Sequence, residues 1–133
     1  MNNTKYSTDM EKITIERTLK TPFLNFDPEN GLIELRGRSI LENAQKMYEP
    51  LVDTWLDEYL KKPADKTIVE IELDYFNTGS SMWILRLLKK LEALNDLQKQ
   101  VVVNWYHSDE DMEESGADFK ELVYIPVNLI SLN

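Results

Sequence analysis

The chain has 133 residues, of which 42% are hydrophobic, enough apolar material for one compact core and too little length for two ordinary domains. It contains no cysteine, which excludes a disulfide framework, a thiolate zinc site and a cysteine nucleophile. With 24 acidic and 15 basic residues the formal net charge is −9, which repels phosphate backbones and anionic headgroups, so no nucleic acid and no membrane surface is expected as a partner.

Residues 1–11 mix Asn, Thr, Lys and Asp without periodicity or an apolar signal-peptide region, and read as a flexible tail ahead of a single domain over 12–133. No stretch approaches the roughly 20 apolar residues that span a bilayer, so a cytoplasmic protein is expected. Ile13 and Ile15 alternate as in a strand, and Phe23 to Phe26 extends or pairs with it. Asp27-Pro28-Glu29-Asn30-Gly31 supplies a turn, after which Leu32 to Arg36 returns as a strand. Ser39-Ile40-Leu41-Glu42 has capping-box spacing and predicts a helix start. Apolar residues from Ala44 to Leu60 form one helical stripe, which Pro50 is expected to kink without breaking.

Thr67 to Phe76 alternates as a strand, with Val69, Ile71, Leu73 and Tyr75 on one face and Glu70, Glu72 and Asp74 on the other. A second helix follows to about Asn95, then a strand over Val101 to Tyr106, a short acidic helix from Ser108 to Phe119, and a last strand over Leu122 to Ile130. Helices alternating with strands after two opening strands predict an α/β fold with a mixed sheet of about five strands and the helices mainly on one face.

The most informative segment is Tyr75-Phe76-Asn77-Thr78-Gly79-Ser80-Ser81, where a strand gives way to a helix. Helix N-termini carry unpaired N–H groups and a positive dipole end, so hydroxyls there cap the helix, and a phosphate there is stabilised. Read from the residues alone, Asn77 or Thr78 is first of all an N-cap. The acidic run Asp109, Glu110, Asp111, Glu113 and Glu114 fails as a calcium loop, because Glu114 and Lys120 stand where glycine and a bidentate glutamate are needed. It fits instead the first turn of a helix. His107 is the only histidine, with no second nitrogen or thiolate for a zinc site, so no metal or cofactor is expected. Glu70, Glu72 and Asp74 offer a carboxylate-dependent enzyme as an alternative, although a row of acids on an open strand face is usually solvated surface.

Four ordered blocks carry a resemblance covering Thr21 to Leu129: Thr21-Pro22, Gly37 to Ala44, Leu73 to Thr78, and Trp105-Tyr106 with Asp109 to Glu113. Together they resemble the SiaC family of bacterial regulatory phosphoproteins. The resemblance implies a STAS-like (anti-anti-sigma-factor-like) fold and no enzymatic activity. It places the switch threonine at Thr78, with Ser80 as the alternative acceptor and Asn77, Gly79, Ser80, Ser81, Arg38 and Ser39 as the partner-binding surface. It further implies a protein kinase and a PP2C-type phosphatase acting on Thr78, and a diguanylate cyclase as effector, hence cyclic-di-GMP and biofilm signalling. A scaffold or anti-sigma-antagonist-like module without a cyclase partner is the alternative. The sequence departs from the family pattern at Gly79, where serine is usual, at Arg38, where glutamate is usual, and at Leu41, where proline is usual.

Overall fold

A computed structural model of the chain describes residues 10–133. Residues 1–9 of the expected tail lie outside the described residues, while Met10 packs against the margin of the core. The strands β1 (Ile13–Ile15), β2 (Phe23–Asp27), β3 (Leu32–Ser39), β4 (Lys66–Phe76), β5 (Gln100–His107) and β6 (Val127–Ser131) form a single sheet in that spatial order. The sheet has six strands where about five were expected, because Ile13–Ile15 pairs with β2 as a separate short edge strand. β1, β2 and β3 are antiparallel, and β3 to β6 run parallel. At the turn into β3, Gly31 takes a φ of 65°, a conformation that costs glycine nothing.

The parallel strands are joined through α1 (Ala44–Glu49, continued by Pro50–Trp55 and Leu56–Lys61), α2 (Thr78–Leu91) with the short α3 (Ala93–Asp96), and α4 (Glu110–Leu122). Each crossover advances one place in the same direction. The right-handedness of β-α-β units then puts every helix on the same side of the sheet. Leu35, Val69, Ile71 and Val103 are fully enclosed there, packed with Leu51, Leu56, Ile84, Leu87 and Leu88 from the helices. Among the described residues no helix is long and apolar enough to cross a membrane.

The other face of the sheet carries a polar ladder that touches every strand. Thr14 Oγ1 donates to Asn25 Oδ1 (3.2 Å), and Asn25 Nδ2 to Glu34 Oε1 (3.2 Å). Arg36 donates to Glu34 (3.1 Å) and Glu72 (2.7 Å). Glu70 accepts from Asn104 Nδ2 (2.8 Å) and from the Tyr106 hydroxyl (3.1 Å), and Asn128 Nδ2 donates to Asn104 Oδ1 (3.1 Å). Of the three carboxylates of the enzyme alternative, Glu70 and Glu72 are thus held by hydrogen bonds within the sheet, while Asp74 is exposed.

Several local expectations change. Leu73 pairs with Gly37 but Tyr75 with Arg38, so Asp74 forms a bulge and the alternation reverses. Tyr75, expected inside, is therefore 53% exposed, and Phe76 turns inward against Trp105 and Phe119. Ser39 starts no helix: it ends β3, and α1 begins at Ala44 after Asn43, whose side chain makes no capping bond. Pro50 produces a π-helical stretch, Pro50–Trp55, in which the Leu56 N–H reaches back five residues to the Leu51 carbonyl. Trp55 lies at the border of the core, stacked on Phe26 at 6.4 Å. α4 runs on to Leu122, so the last strand starts only at Val127.

α4 approaches the sheet at Gly116, where an added Cβ would lie 2.7 Å from Leu129 Cδ2 and collide with the Trp105 indole. Trp105 cannot swing aside, since its Nε1 donates to the Met112 carbonyl at 2.8 Å. Gly116→Ala is expected to destabilise the protein by about 1–3 kcal/mol through overpacking, read as a lower urea midpoint with an unchanged slope.

Candidate phosphorylation and docking site

The parallel strands β3 to β6 all end at one edge of the sheet, where ligands and partners of open α/β folds commonly bind. At that edge β4 passes into α2 through Asn77, whose extended backbone (φ −90°, ψ 175°) makes it the N-cap. Its Oδ1 accepts from the Ser80 N–H at 3.0 Å, while its Nδ2 donates to the Leu41 carbonyl at 2.9 Å. One side chain thereby caps α2 and fastens the loop between β3 and α1. Of the two capping candidates, Asn77 fills the role, which leaves Thr78 as the first helical residue with an exposed side chain. Among the described residues no hydrogen bond involves the Thr78 hydroxyl.

Beneath this turn lies a closed cluster of hydroxyls. Ser80 Oγ donates to the Ser39 carbonyl at 2.9 Å, and Ser39 Oγ donates to Ser80 Oγ at 2.7 Å. With its one proton spent, Ser39 Oγ can only accept from the Tyr48 hydroxyl, 2.7 Å away. Ser39 and Ser80 are wholly buried and Tyr48 is 1% exposed. Ser39 and Ser80 were expected on the partner-binding surface, and Ser80 as an alternative acceptor. Their burial withdraws them from direct contact, because three mutual hydrogen bonds are better satisfied inside than exposed. Gly79 is exposed and Ser81 half-buried, and Arg38 is exposed beside Tyr75 on the neighbouring strand.

Sequence reasoning missed two surface residues. Tyr75, three residues before Thr78, and Met82 (64% exposed), one helical turn after it, are both large exposed apolar side chains. The bulge at Asp74 is what turns Tyr75 outward. Gly37, with a φ of 109° on the facing strand, was its one trace in the sequence.

The match to a model of the SiaC family regulatory phosphoproteins extends over residues 15–132. The chain belongs to the SiaC family. An uncharacterized protein of Pseudomonas aeruginosa strain UCBPP-PA14 is 25% identical over 114 residues, 84% of this chain and 90% of that one. The crystal structure of apo-SiaC from Pseudomonas aeruginosa superposes with a TM-score of 0.83 at 23% identity, covering 91% of this chain and 99% of the other. SiaC in the crystal structure of diguanylate cyclase SiaD with its activator SiaC, from the same organism, gives 0.82 at 23% identity over 90% of this chain and 98% of that one. The fold of this SiaC-family chain is therefore that of its structural neighbours.

A Cβ at Gly79 would meet only Ala44 Cβ at 3.8 Å and Asn77 Oδ1 at 3.9 Å, ordinary contact distances. Nothing steric demands the glycine. Gly79→Ala is expected to stabilise the protein, by up to about 1 kcal/mol from reduced backbone entropy of the unfolded chain, visible as a raised thermal midpoint.

Burial pushes the Tyr48 hydroxyl up to about 12, against a smaller opposing pull from its hydrogen bonds with Ser39 and Ser80. Above the ordinary tyrosine value of about 10 the unfolded chain loses this proton while the folded chain keeps it, so stability falls as pH rises. The contribution is intact below about pH 10 and lost towards about pH 12. Comparing the pH dependence of urea unfolding in the protein and in Tyr48→Phe should show a steeper alkaline decline in the former; parallel curves would show that Tyr48 does not titrate with folding.

Proposed function

We propose that this SiaC-family protein is a non-enzymatic cytoplasmic switch, reversibly phosphorylated on Thr78, that binds and regulates a diguanylate cyclase. The observation that carries the reading is the contrast within one helical turn: Ser80 is sealed and hydrogen-bonded, whereas the exposed Thr78 at the start of α2 has a hydroxyl that no described residue engages. A kinase can reach it without unfolding the domain. The phosphate, with about −1.5 to −2 charges, would sit at the positive end of a 14-residue helix, where it is tolerated. Family membership and the SiaC–SiaD complex of Pseudomonas aeruginosa support the cyclase as effector and a kinase with a PP2C-type phosphatase as the opposing enzymes.

Asn77, Gly79, Ser81 and Arg38 line the partner-facing surface in this reading, while Ser39 and Ser80 act from below by holding the turn. A phosphate on Thr78, one helical turn from the exposed Met82, would have to shed water when a partner closes over it. Docking would then weaken, and a coupling of about 1–3 kcal/mol corresponds to roughly 5–150-fold in affinity. Thr78→Ala should abolish phosphorylation by the cognate kinase and retain cyclase binding, whereas Thr78→Asp should weaken that binding at least about 5-fold. Intact-mass analysis and binding titration check both. Full phosphorylation of Thr78→Ala would refute the site assignment.

A further inference from the structure

The two edges of the sheet are finished differently. β1 is cut to three residues and bracketed by Lys12 and Glu16, a short and charged form that discourages a further strand. β6 has five residues, with no charge and no proline among them. Its ladder with β5 decides which groups it leaves over. The Val103 N–H donates to the Pro126 carbonyl (2.9 Å) and the Leu132 N–H to the His107 carbonyl (2.8 Å), with Val103 opposite Val127 and His107 opposite Ser131. Residues of a paired strand face the neighbouring strand alternately, so Pro126, Asn128, Ile130 and Leu132 bond towards β5. Val127, Leu129 and Ser131 turn their N–H and C=O groups outward, where among the described residues no backbone group engages them.

The flank of α4 above this edge has a matching pattern. Gly116 lies over the seam of β5 and β6, since a Cβ there would meet both Trp105 and Leu129. Ser115, Asp118 and Leu122 border the cavity between α4 and α2, and the opposite side of the helix is that of Glu113, Ala117 and Lys120. Glu113 and Lys120 are exposed, and among the described residues neither belongs to an ion pair. The midpoint between this acid and this base falls at Gly116 and Ala117, directly over Leu129.

We propose that β6 pairs with β6 of a second copy of the chain, antiparallel about a twofold axis at Leu129, so that two six-stranded sheets become one. In that register Val127 faces the partner's Ser131 and Leu129 faces the partner's Leu129, and all three outward residues exchange both backbone hydrogen bonds. The half-buried Leu129 side chains meet at the axis. The two α4 helices then run antiparallel on one face, two strand spacings or about 9.5 Å apart, within the range at which helices pack. Ala117 is small enough for that approach. Glu113 of each copy comes opposite the partner's Lys120, as a self-complementary contact requires. The formal charge of −9 on each copy opposes association at long range and is screened by salt, whereas the contact itself is balanced. An extended segment of another protein could use the same backbone groups, but would leave the matched spacing of Glu113 and Lys120 unused. β6 is two strands away from β4, so the Thr78 turns stay outside the contact, and the inference is independent of the phosphorylation reading.

The test is sedimentation equilibrium of the full-length protein at about 0.15 M salt and rising concentration. The mass is expected to climb from the 15.6 kDa of one chain to twice that. Ser131→Pro removes one outward N–H per copy and none that bonds β5. Glu113→Lys sets like charges across the axis, although it lowers the net charge. Each should weaken association about 10-fold or more and leave the thermal midpoint of the dilute protein unchanged. Adding Lys120→Glu to Glu113→Lys should restore association. Residues seven apart on a helix stand about 10 Å apart and do not pair within one chain, so recovery reads contact between copies, and it carries the test by itself should the proline disturb the strand. A chain that stays monomeric up to about 1 mM would overturn the proposal and leave the edge to a segment of another protein. A dimer that Ser131→Pro and Glu113→Lys leave intact, or a double variant that does not recover, would overturn it as well.

Discussion

The buried contact among Ser39, Ser80 and Tyr48 is the constraint on which the switch region depends. It joins the last residue of β3, the first turn of α2 and the middle of the first helical segment, three pieces widely separated in sequence. Each hydroxyl is satisfied by the other two or by the backbone, so the cluster costs little to bury and much to disturb. Removing the Ser39 hydroxyl would leave that of Tyr48 without its partner in a site closed to water, while Ser80 would keep the Ser39 carbonyl. Above it, Asn77 uses both ends of its amide to fix the helix start and the preceding loop. The turn that carries Thr78 is therefore held firmly from beneath, and in the proposed reading a phosphate there would change the charge of this surface without needing to change its shape.

The two faces of the sheet solve different problems. The covered face is held by apolar burial against the single layer of helices from the three crossovers. The open face is held by hydrogen bonds and by Arg36, whose partial burial works against its charge but is outweighed by Glu34, Glu72 and Glu70, so that its pKa rises. Three carboxylates around one guanidinium keep that face wetted and anionic. Its acids are already occupied, whereas among the described residues no ion pair engages those of α4. That difference separates a surface built to stay in water from one with charge left to offer.

Much of this was legible in the sequence. The strict alternation of Val69, Ile71 and Leu73 against Glu70 and Glu72 set both the strand and its two faces, and the order of elements set the side on which the helices lie. The Asn77-Thr78 block at the end of that strand marked the turn into α2. What escaped notice was governed by contacts distant in the chain. Ser39 matched a capping box, but its hydroxyl was claimed by residues 9 and 41 positions away. Tyr75 matched the inward register until one bulged residue reversed it. The burial of Ser80 and the exposure of Thr78, two residues apart on one helix, follow from where the helix meets β3, and no local pattern records that.

The π-helical stretch has a bearing on how chains of this kind can differ in length. A widened turn holds one residue more than the ordinary turn it replaces. Loss of one residue between Pro50 and Trp55 would restore ordinary turns while Tyr48 before it and Leu56 and Tyr59 after it kept facing the sheet. Loss of one residue elsewhere in the helix would rotate everything beyond it by about 100° and carry the buried stripe into solvent. The stretch is thus a hinge point in evolutionary rather than mechanical terms, the one span of α1 where a gap in an alignment of relatives can fall without redrawing the core.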